Sequence, residues 1–255
     1  MRTALQILLH GAAILFLTLL SQLGGLAWVL ALPFRRRRVV FFAGFAAIYA
    51  ALSVTAAWVA PTFGRVPMAC GAEGPLRIAS PVYCLLNRHY GTPELAAVLN
   101  DLSRDMTRRH PDATVQLLDA NFPFFDGFPL LPHLSHADGR KADVALFYLD
   151  PDGAPGPALR SPLGYFAFED GPTDCPPRRL TLRWDLAWLQ PLWRDLSLDR
   201  VRTRDLLALL AADERVGRIF VEPHLRATLD IDRPTFGFQG CRAARHDDHI
   251  HLQLK

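Results

Sequence analysis

Two long apolar stretches open the chain. Thr3 to Phe34 carries no Asp, Glu, Lys or Arg, and neither does Val39 to Ala60. A helix needs roughly 20 apolar residues to cross the hydrocarbon core of a bilayer, so each stretch is long enough. Arg35 to Arg38 lie between them, and clustered arginines mark a cytoplasmic turn. The pattern predicts a two-helix transmembrane hairpin over residues 1–60, with everything after Pro61 on the far side of the membrane. A cleaved signal peptide followed by one anchor helix is the alternative. The run is long for a signal core, however, and the arginines follow it instead of preceding it. Both readings export the remainder of the chain. His10, inside the first stretch, reads as a residue near a helix end.

Past Pro61 the pattern changes. Residues 61–75 hold Gly and Pro without a clear period and read as a linker. Residues 76–255 read as one domain. Thr92 can cap a helix that starts at Pro93, with Leu95, Val98, Leu99, Leu102 and Met106 on one face and Arg108, Arg109 and Pro111 at its end. Thr114 to Leu118 reads as a strand. Asn121 to Leu131 is a loop rich in Phe and Pro, either a groove wall or a folded-over core loop. Val144 to Leu149 is an apolar run that predicts a buried strand, with Asp143 near its start. Leu186, Leu189, Leu192 and Trp193 predict a helix over 185–196. A second helix follows from Thr203 or Asp205 to Asp213, then a strand at Arg218–Val221, a short helix at 223–229 and a last strand from His249 to Leu254. Helices and strands do not alternate strictly. The expected class is α+β, a small and mainly antiparallel sheet with flanking helices.

Charge changes this picture little. Net charge is +3, and part of it is the Arg35–Arg38 cluster, so no basic face for nucleic acid is evident. Four cysteines, Cys70, Cys84, Cys175 and Cys241, all lie in the exported part. An even number there suggests two disulfides. Of the three pairings, Cys70 with Cys84 and Cys175 with Cys241 is favoured. No CxxC spacing points to zinc on these thiols.

The candidate chemistry sits at the end. His246-Asp247-Asp248-His249-Ile250-His251 puts three histidines in six positions, and a strand turns His249 and His251 to one face. Its complement is Pro132 to Asp143, which contains His133, His136 and Asp143. His136, Asp143 and His251 can supply two imidazoles and a carboxylate to a tetrahedral divalent ion, with a fourth position open. Gly139 allows the turn that brings His136 beside Asp143. His249 is placed to take and return a proton, and His246 to share that work or to stabilise an oxyanion. His133 could orient a ligand or touch substrate. Asp247 and Asp248 read as exposed turn residues or, less favoured, as partners of the imidazoles. His89 and His110 read as surface or capping residues, and His224 as structural.

The pattern Ser-His-x-x-Gly-x-x-x-Asp, at Ser135 to Asp143, together with His-Asp-Asp-His-x-His at His246 to His251, resembles the penicillin-insensitive murein endopeptidases. These belong to a zinc peptidase group that includes lysostaphin-type enzymes, D-Ala-D-Ala carboxypeptidases and hedgehog domains. The resemblance covers Thr92 to the end of the chain, loosely in the middle. It implies Zn²⁺ held by His136, Asp143 and His251, with His249 and His246 as the catalytic histidines and His133 as a further active-site residue. It implies a peptidoglycan peptide as substrate, cut at an amide bond beside D-amino acids. With the arginine turn, it implies an inner (cytoplasmic) membrane protein whose domain faces the periplasm. The membrane helices depart from the family pattern and leave the bond preference open. A D,D- or L,D-carboxypeptidase is the alternative enzyme, with Arg140, Lys141 or Arg245 as candidate receivers of a terminal carboxylate. A non-enzymatic zinc-containing wall-binding module is the other alternative.

Overall fold

The computed structural model describes residues 2–68, 70–71, 73–176 and 181–255. The first apolar stretch is not one helix. It divides into α1 (Arg2–Ser21) and α2 (Gly24–Ala31), and the second stretch forms α3 (Arg38–Val59). The chain reverses at Gln22, whose φ is +64°, and α2 runs back along α1. A β-carbon at Gly24 would meet Leu17, one at Gly25 would meet Ile14, and the Trp28 indole donates to His10 Nδ1 at 3.2 Å. Partners thus descend α1 as the chain advances along α2. The glycine pair makes this possible: a β-carbon at Gly25 would lie 1.9 Å from Thr18 Oγ1, too close for any side chain.

This corrects the expectation of one helix over the first stretch. Two helices, counted as Thr3–Ser21 and Arg38–Phe63, are long and apolar enough to cross a membrane, and Gly24–Phe34 is a shorter apolar piece. The arginine turn comes back beside the first half of α1, where Phe41 lies against His10 with ring centroids 6.3 Å apart.

The helical unit is fastened to the domain by polar contacts. Gln22 Nε2 donates to Phe124 O at 2.8 Å, and Phe124 N donates to Gln22 Oε1 at 3.0 Å. Tyr49 OH donates to Leu85 O at 2.6 Å, and Asn87 donates to Tyr49 OH and Ser53 Oγ. The Phe63 ring packs against Phe124 and Phe125. The aromatic loop is therefore a docking element for the helices, which neither sequence reading anticipated.

The expected linker is partly built into the domain. β1 (Val66–Pro67) precedes β2 (Leu76–Ile78), α4 (Pro81–Leu85) and β3 (Tyr90–Gly91), and β1 pairs with β3. Then come α5 (Pro93–Arg109), β4 (Val115–Leu117) and β5 (Lys141–Ala145). A small three-stranded sheet joins β6 (Tyr148–Leu149), β7 (Pro155–Gly156) and β8 (Ser197–Leu198). The chain ends with α6 (Arg200–Ala212), β9 (Val216–Phe220), α7 (Pro223–Thr228), β10 (Phe236–Gly237) and β11 (His249–Leu254). Six strands form the main sheet in the order β10-β9-β11-β5-β4-β2. Its central pairs, β9 with β11, β11 with β5 and β5 with β4, are antiparallel, and its edges are parallel. The fold is thus mixed α and β around a mainly antiparallel sheet, as its pattern predicted.

α5 starts at the Thr92 cap, which accepts from Leu95 N at 3.2 Å. It lays Leu95, Leu99, Leu102 and Met106 on the sheet beside Leu206, Leu207 and Leu210 of α6. α6 begins about a turn before its expected start because Asp199 caps it, accepting from Arg202 N at 3.0 Å. Ala142 and Val144 of β5 and Ile250 and Leu252 of β11 face this core. By the alternation of a strand, Asp143, His249 and His251 face the other way.

No α-helix forms over 185–196; only Gln190–Leu192 makes a 3-10 turn. Pro191 removes a backbone donor there. Gln190 Nε2 and the Trp193 indole donate to Phe166 O at 2.8 and 2.7 Å, which binds the segment into a loop. Both favoured disulfides are present, Cys70–Cys84 and Cys175–Cys241.

Candidate metal centre

The site rests on the register between β5 and β11, which sets His251 directly opposite Asp143. Asp143 stands in the middle of β5, not near the start of a strand as expected. His136 arrives from the loop before β5. That loop is shaped by Gly139, whose φ of +77° allows the turn and whose N–H donates to Asn121 Oδ1 at 3.0 Å. Three donor atoms converge. His136 Nε2 lies 3.0 Å from His251 Nδ1, His251 Nδ1 lies 2.8 Å from Asp143 Oδ1, and His136 Nε2 lies 3.2 Å from the same oxygen. A tetrahedral zinc site with metal–ligand bonds near 2.0–2.1 Å has ligand–ligand edges of roughly 3.3 Å, so the donors need only a small expansion to receive an ion.

The outer ring atom of His136 fits that role. His136 Nδ1 lies 2.6 Å from Ala120 O, so it carries the proton and donates it, leaving Nε2 free. Gln253 Nε2 donates to His251 Nε2 at 3.1 Å, so His251 carries its proton on Nδ1 and donates it to Asp143 Oδ1 at 2.8 Å; a metal ion bound at Nδ1 would take the place of that proton. All three residues are buried.

Asp143 uses its second oxygen as well. Tyr165 OH donates to Oδ2 at 2.6 Å, and His133 Nδ1 lies 3.1 Å from Asp143 Oδ2 and 3.1 Å from Asp119 Oδ2. Arg88 in turn grips Asp119, at 2.7 and 2.9 Å, and donates to Leu131 O at 2.7 Å. His249 Nδ1 lies 2.5 Å from Asp248 Oδ1 and its Nε2 lies 3.8 Å from Asp143 Oδ2. Asp248 is itself held by Phe166 N. His246 packs beside them, its ring tilted against His249 at 4.9 Å between centroids and edge-on to His251 at 5.7 Å. The sequence reading of Asp247 and Asp248 as exposed turn residues is corrected: both are buried, Asp248 against His249 and Asp247 against Arg245. His89 is likewise buried and not a surface residue.

Electrostatics follow the packing. Burial alone would raise the Asp143 carboxyl; His136, His249 and His133 hold it well below the usual carboxylate range. Burial pushes His251 down to about 4, and pushes His246 well below its ordinary value with help from His249 and His251. His249 goes the other way: burial opposes the charged form, but Asp248 and Asp143 outweigh it and raise the imidazole to about 9. His136 is also raised, because Asp143 outweighs its burial. A carboxylate held ionised between two imidazoles is a donor set for a divalent ion of the zinc type, which would displace the ring protons that face it.

Two pockets meet at His133 and His249. One, about 110 Å³, is lined by Ser135, Gln239, His246 and His251, and the other by Tyr165, Phe168, Trp184 and Arg245. Leu182 and Ala244 border both. Leu182 N donates to Arg242 O at 3.0 Å, beside the Cys175–Cys241 bridge.

All six residues singled out by sequence, His133, His136, Asp143, His246, His249 and His251, fall in this one place. Sequence reasoning missed Asp119, Arg88 and Tyr165. Asp119 had a signal, a carboxylate directly after the apolar strand that neighbours β5. Tyr165 lies in an irregular stretch and had none. Two further groups gather atoms that could hold an ion: His133, Asp143 and His249, which share the carboxylate with the first, and Cys70, Cys84 and His89, which are closed to metal by the disulfide. A scan against protein-family models and a search of curated proteins both return no match.

Proposed function

We propose that this chain is a membrane-anchored zinc peptidase that hydrolyses amide bonds in peptidoglycan peptides as a murein endopeptidase. The observation that carries the reading is the convergence of His136 Nε2, Asp143 Oδ1 and His251 Nδ1 within 3.2 Å of one another, with three further histidines, His133, His246 and His249, at the same spot. The fit of this donor set supports zinc at these three residues. A zinc ion bound there would supply Lewis acidity, polarising the scissile carbonyl and acidifying water.

The remaining steps belong to the chain's own side chains. His249 keeps its Nδ1 against Asp248 and turns Nε2 towards the donor cluster, the arrangement of a proton-transfer histidine with an orienting carboxylate. His246 lies between Phe220, His249 and His251, where it contacts the carbonyl side of a bound amide. Tyr165 holds the outer oxygen of Asp143 by a hydrogen bond, with His133 Nδ1 3.1 Å away between Asp143 and Asp119, and the inner oxygen is the one turned to His136 and His251. The larger of the two pockets beside His133 and His249, about 110 Å³, is the opening by which substrate would reach the donor cluster. A carboxypeptidase would need a cation for the terminal carboxylate. Among the described residues, Arg140 pairs with Glu94, Lys141 with Asp138, and Arg245, which lines one of the pockets, is taken up by Asp247.

The Arg35–Arg38 turn supports an orientation with that turn in the cytoplasm and the domain in the periplasm.

The test is metal content and turnover on cross-linked muropeptides. His136→Ala and His251→Ala should each lose the zinc. His249→Ala should keep about one ion per chain and lose turnover. Equal metal loss in all three variants, or no amine released by the zinc-loaded protein, would sink the reading.

A further inference from the structure

An apolar cavity of about 390 Å³ lies where the helical unit meets the domain, within the roughly 300–1,000 Å³ of small-ligand pockets. Leu17 and Leu20 of α1, Phe45 and Ala50 of α3, and Leu85 and Leu86 at the end of α4 line it. Of its hydroxyls, Ser21 Oγ donates to Leu17 O at 3.1 Å, Tyr49 OH donates to Leu85 O at 2.6 Å, and Ser53 Oγ accepts from Asn87 Nδ2 at 3.2 Å. The rest of the lining presents mainly carbon. Two of its walls are the helices that are long and apolar enough to cross a membrane. Their outer faces are bare, with Leu15 and Phe16 62% and 63% exposed. The third wall, α4, leaves Leu85 64% exposed at the rim. An apolar cavity of this kind has no stable filling of water, and the hydrocarbon adjoining α1 and α3 is that of the bilayer.

We propose that this cavity binds one acyl chain of a bilayer phospholipid, and that the lipid is a structural part of the joint between the helices and the domain. The proposal rests on α1 and α3 being membrane-embedded. Tyr83 connects the joint to the metal centre: its hydroxyl donates to Leu163 O, and its ring lies 6.3 Å from that of Tyr165. α4 therefore has the lipid cavity on one side and a residue that holds Asp143 on the other.

The experiment uses the full chain in phosphatidylethanolamine and phosphatidylglycerol liposomes doped with a phospholipid that carries a diazirine on its acyl chain. After irradiation, labelled peptides are mapped by mass spectrometry. Label is expected at Leu15–Phe16 and also at Leu85–Leu86, outside the membrane helices. Ala50→Trp, and separately Ala46→Leu, should fill the cavity and abolish the label at Leu85–Leu86 while leaving that at Leu15–Phe16 and the zinc content unchanged. Label at Leu15–Phe16 with none at Leu85–Leu86 would overturn the proposal and leave the membrane reading standing. So would label at Leu85–Leu86 that both variants keep. Absence of label at both places would overturn the membrane reading, and the proposal with it. In a parallel arm, a photoreactive polyisoprenyl phosphate that labels Leu85–Leu86 where the phospholipid does not would assign the cavity to a lipid-linked molecule instead.

Discussion

Removing one hydroxyl, by Tyr165→Phe, tests how the metal centre is held. Tyr165 OH donates to Asp143 Oδ2 at 2.6 Å and accepts from Asp119 N at 3.2 Å. The first bond goes to an ionised, fully buried carboxylate, and such a bond is worth about 1.5–3 kcal/mol. It keeps Oδ1 turned towards His136 and His251. At 1.4 kcal/mol per tenfold, its loss should weaken zinc binding by roughly 10–100-fold, the range found when an outer partner of a metal ligand is removed. The second bond adds a different cost, because Asp119 N–H is left buried without a partner, which lowers stability by about 1–3 kcal/mol. Competition with a fluorescent chelator reads the first effect, and urea denaturation of the metal-free protein reads the second. Tyr83→Phe is the control. Its hydroxyl bonds Leu163 O, so it should cost stability and leave zinc affinity unchanged. A Tyr165→Phe protein that binds zinc within about twofold of the parent would refute the reasoning, since it would show that the hydroxyl does not orient the carboxylate.

Three further outcomes follow from the same geometry. His89 is pushed by burial down to about 4, whereas an unfolded histidine titrates near 6.5, so the unfolded chain binds the extra proton between these values. Stability should fall by roughly 3 kcal/mol as pH drops from about 6.5 to about 4; a His89→Gln variant should flatten this part of the pH–stability curve, and an unchanged curve would count against the assignment. Cys175 and Cys241 are 66 residues apart, and loop entropy assigns such a bridge about 4 kcal/mol; Cys175→Ser with Cys241→Ser should lower stability by up to that amount, while equal stability with and without the bridge would show that the segment is held without it. Zinc in hundredfold excess over its dissociation constant adds about 2.7 kcal/mol, so chelation should lower the melting temperature by roughly 5–10 °C, and no shift would mean that no ion sits in the folded site.

The domain was largely legible because its elements carry local signals. Thr92-Pro93-Glu94 announces α5, and alternation through His249-Ile250-His251-Leu252 announces β11 together with the face that each residue takes. The failures share a physical cause. Leu186, Leu189, Leu192 and Trp193 have helical spacing, but Pro191 interrupts the backbone ladder, and side-chain bonds to Phe166 O hold the segment as a loop. The break at Gln22 escaped notice because hydropathy is blind to it. Only the Gly24-Gly25 pair beside a single glutamine marks where one apolar run folds back on itself. Among site residues, the histidines were visible by their rarity and spacing. Asp119 and Tyr165 act through tertiary contacts across 24 and 22 residues from Asp143, and no periodicity encodes that.

The candidate metal site and the hydrophobic core are the two faces of the same pair of strands, and this explains why the site is so closely specified. Ile250 opposes Val144 and Leu252 opposes Ala142 on the core side, while His251 opposes Asp143 on the other. A slip of one residue in β11 would turn His249 and His251 into the core and expose Ile250 and Leu252. The apolar cluster with α5 and α6 therefore fixes the register that sets two of the three donors, 2.8 Å apart. The irregularity between β11 and β9 falls between Gln253 and Leu254, beyond the last donor, so pairing through His251 is undisturbed. The polar face carries the opposite burden. Asp119, Asp143 and Asp248 are buried there beside four buried or nearly buried histidines of the two motifs and His133. A buried carboxylate costs several kcal/mol unless it is paired, and each of these three has a cation, an imidazole or a backbone N–H against it. Stability alone would favour apolar residues on this face as on the other. The strands instead keep a buried polar network in which His136 Nε2, His251 Nδ1 and Asp143 Oδ1 converge within 3.2 Å, a group that could hold a metal ion.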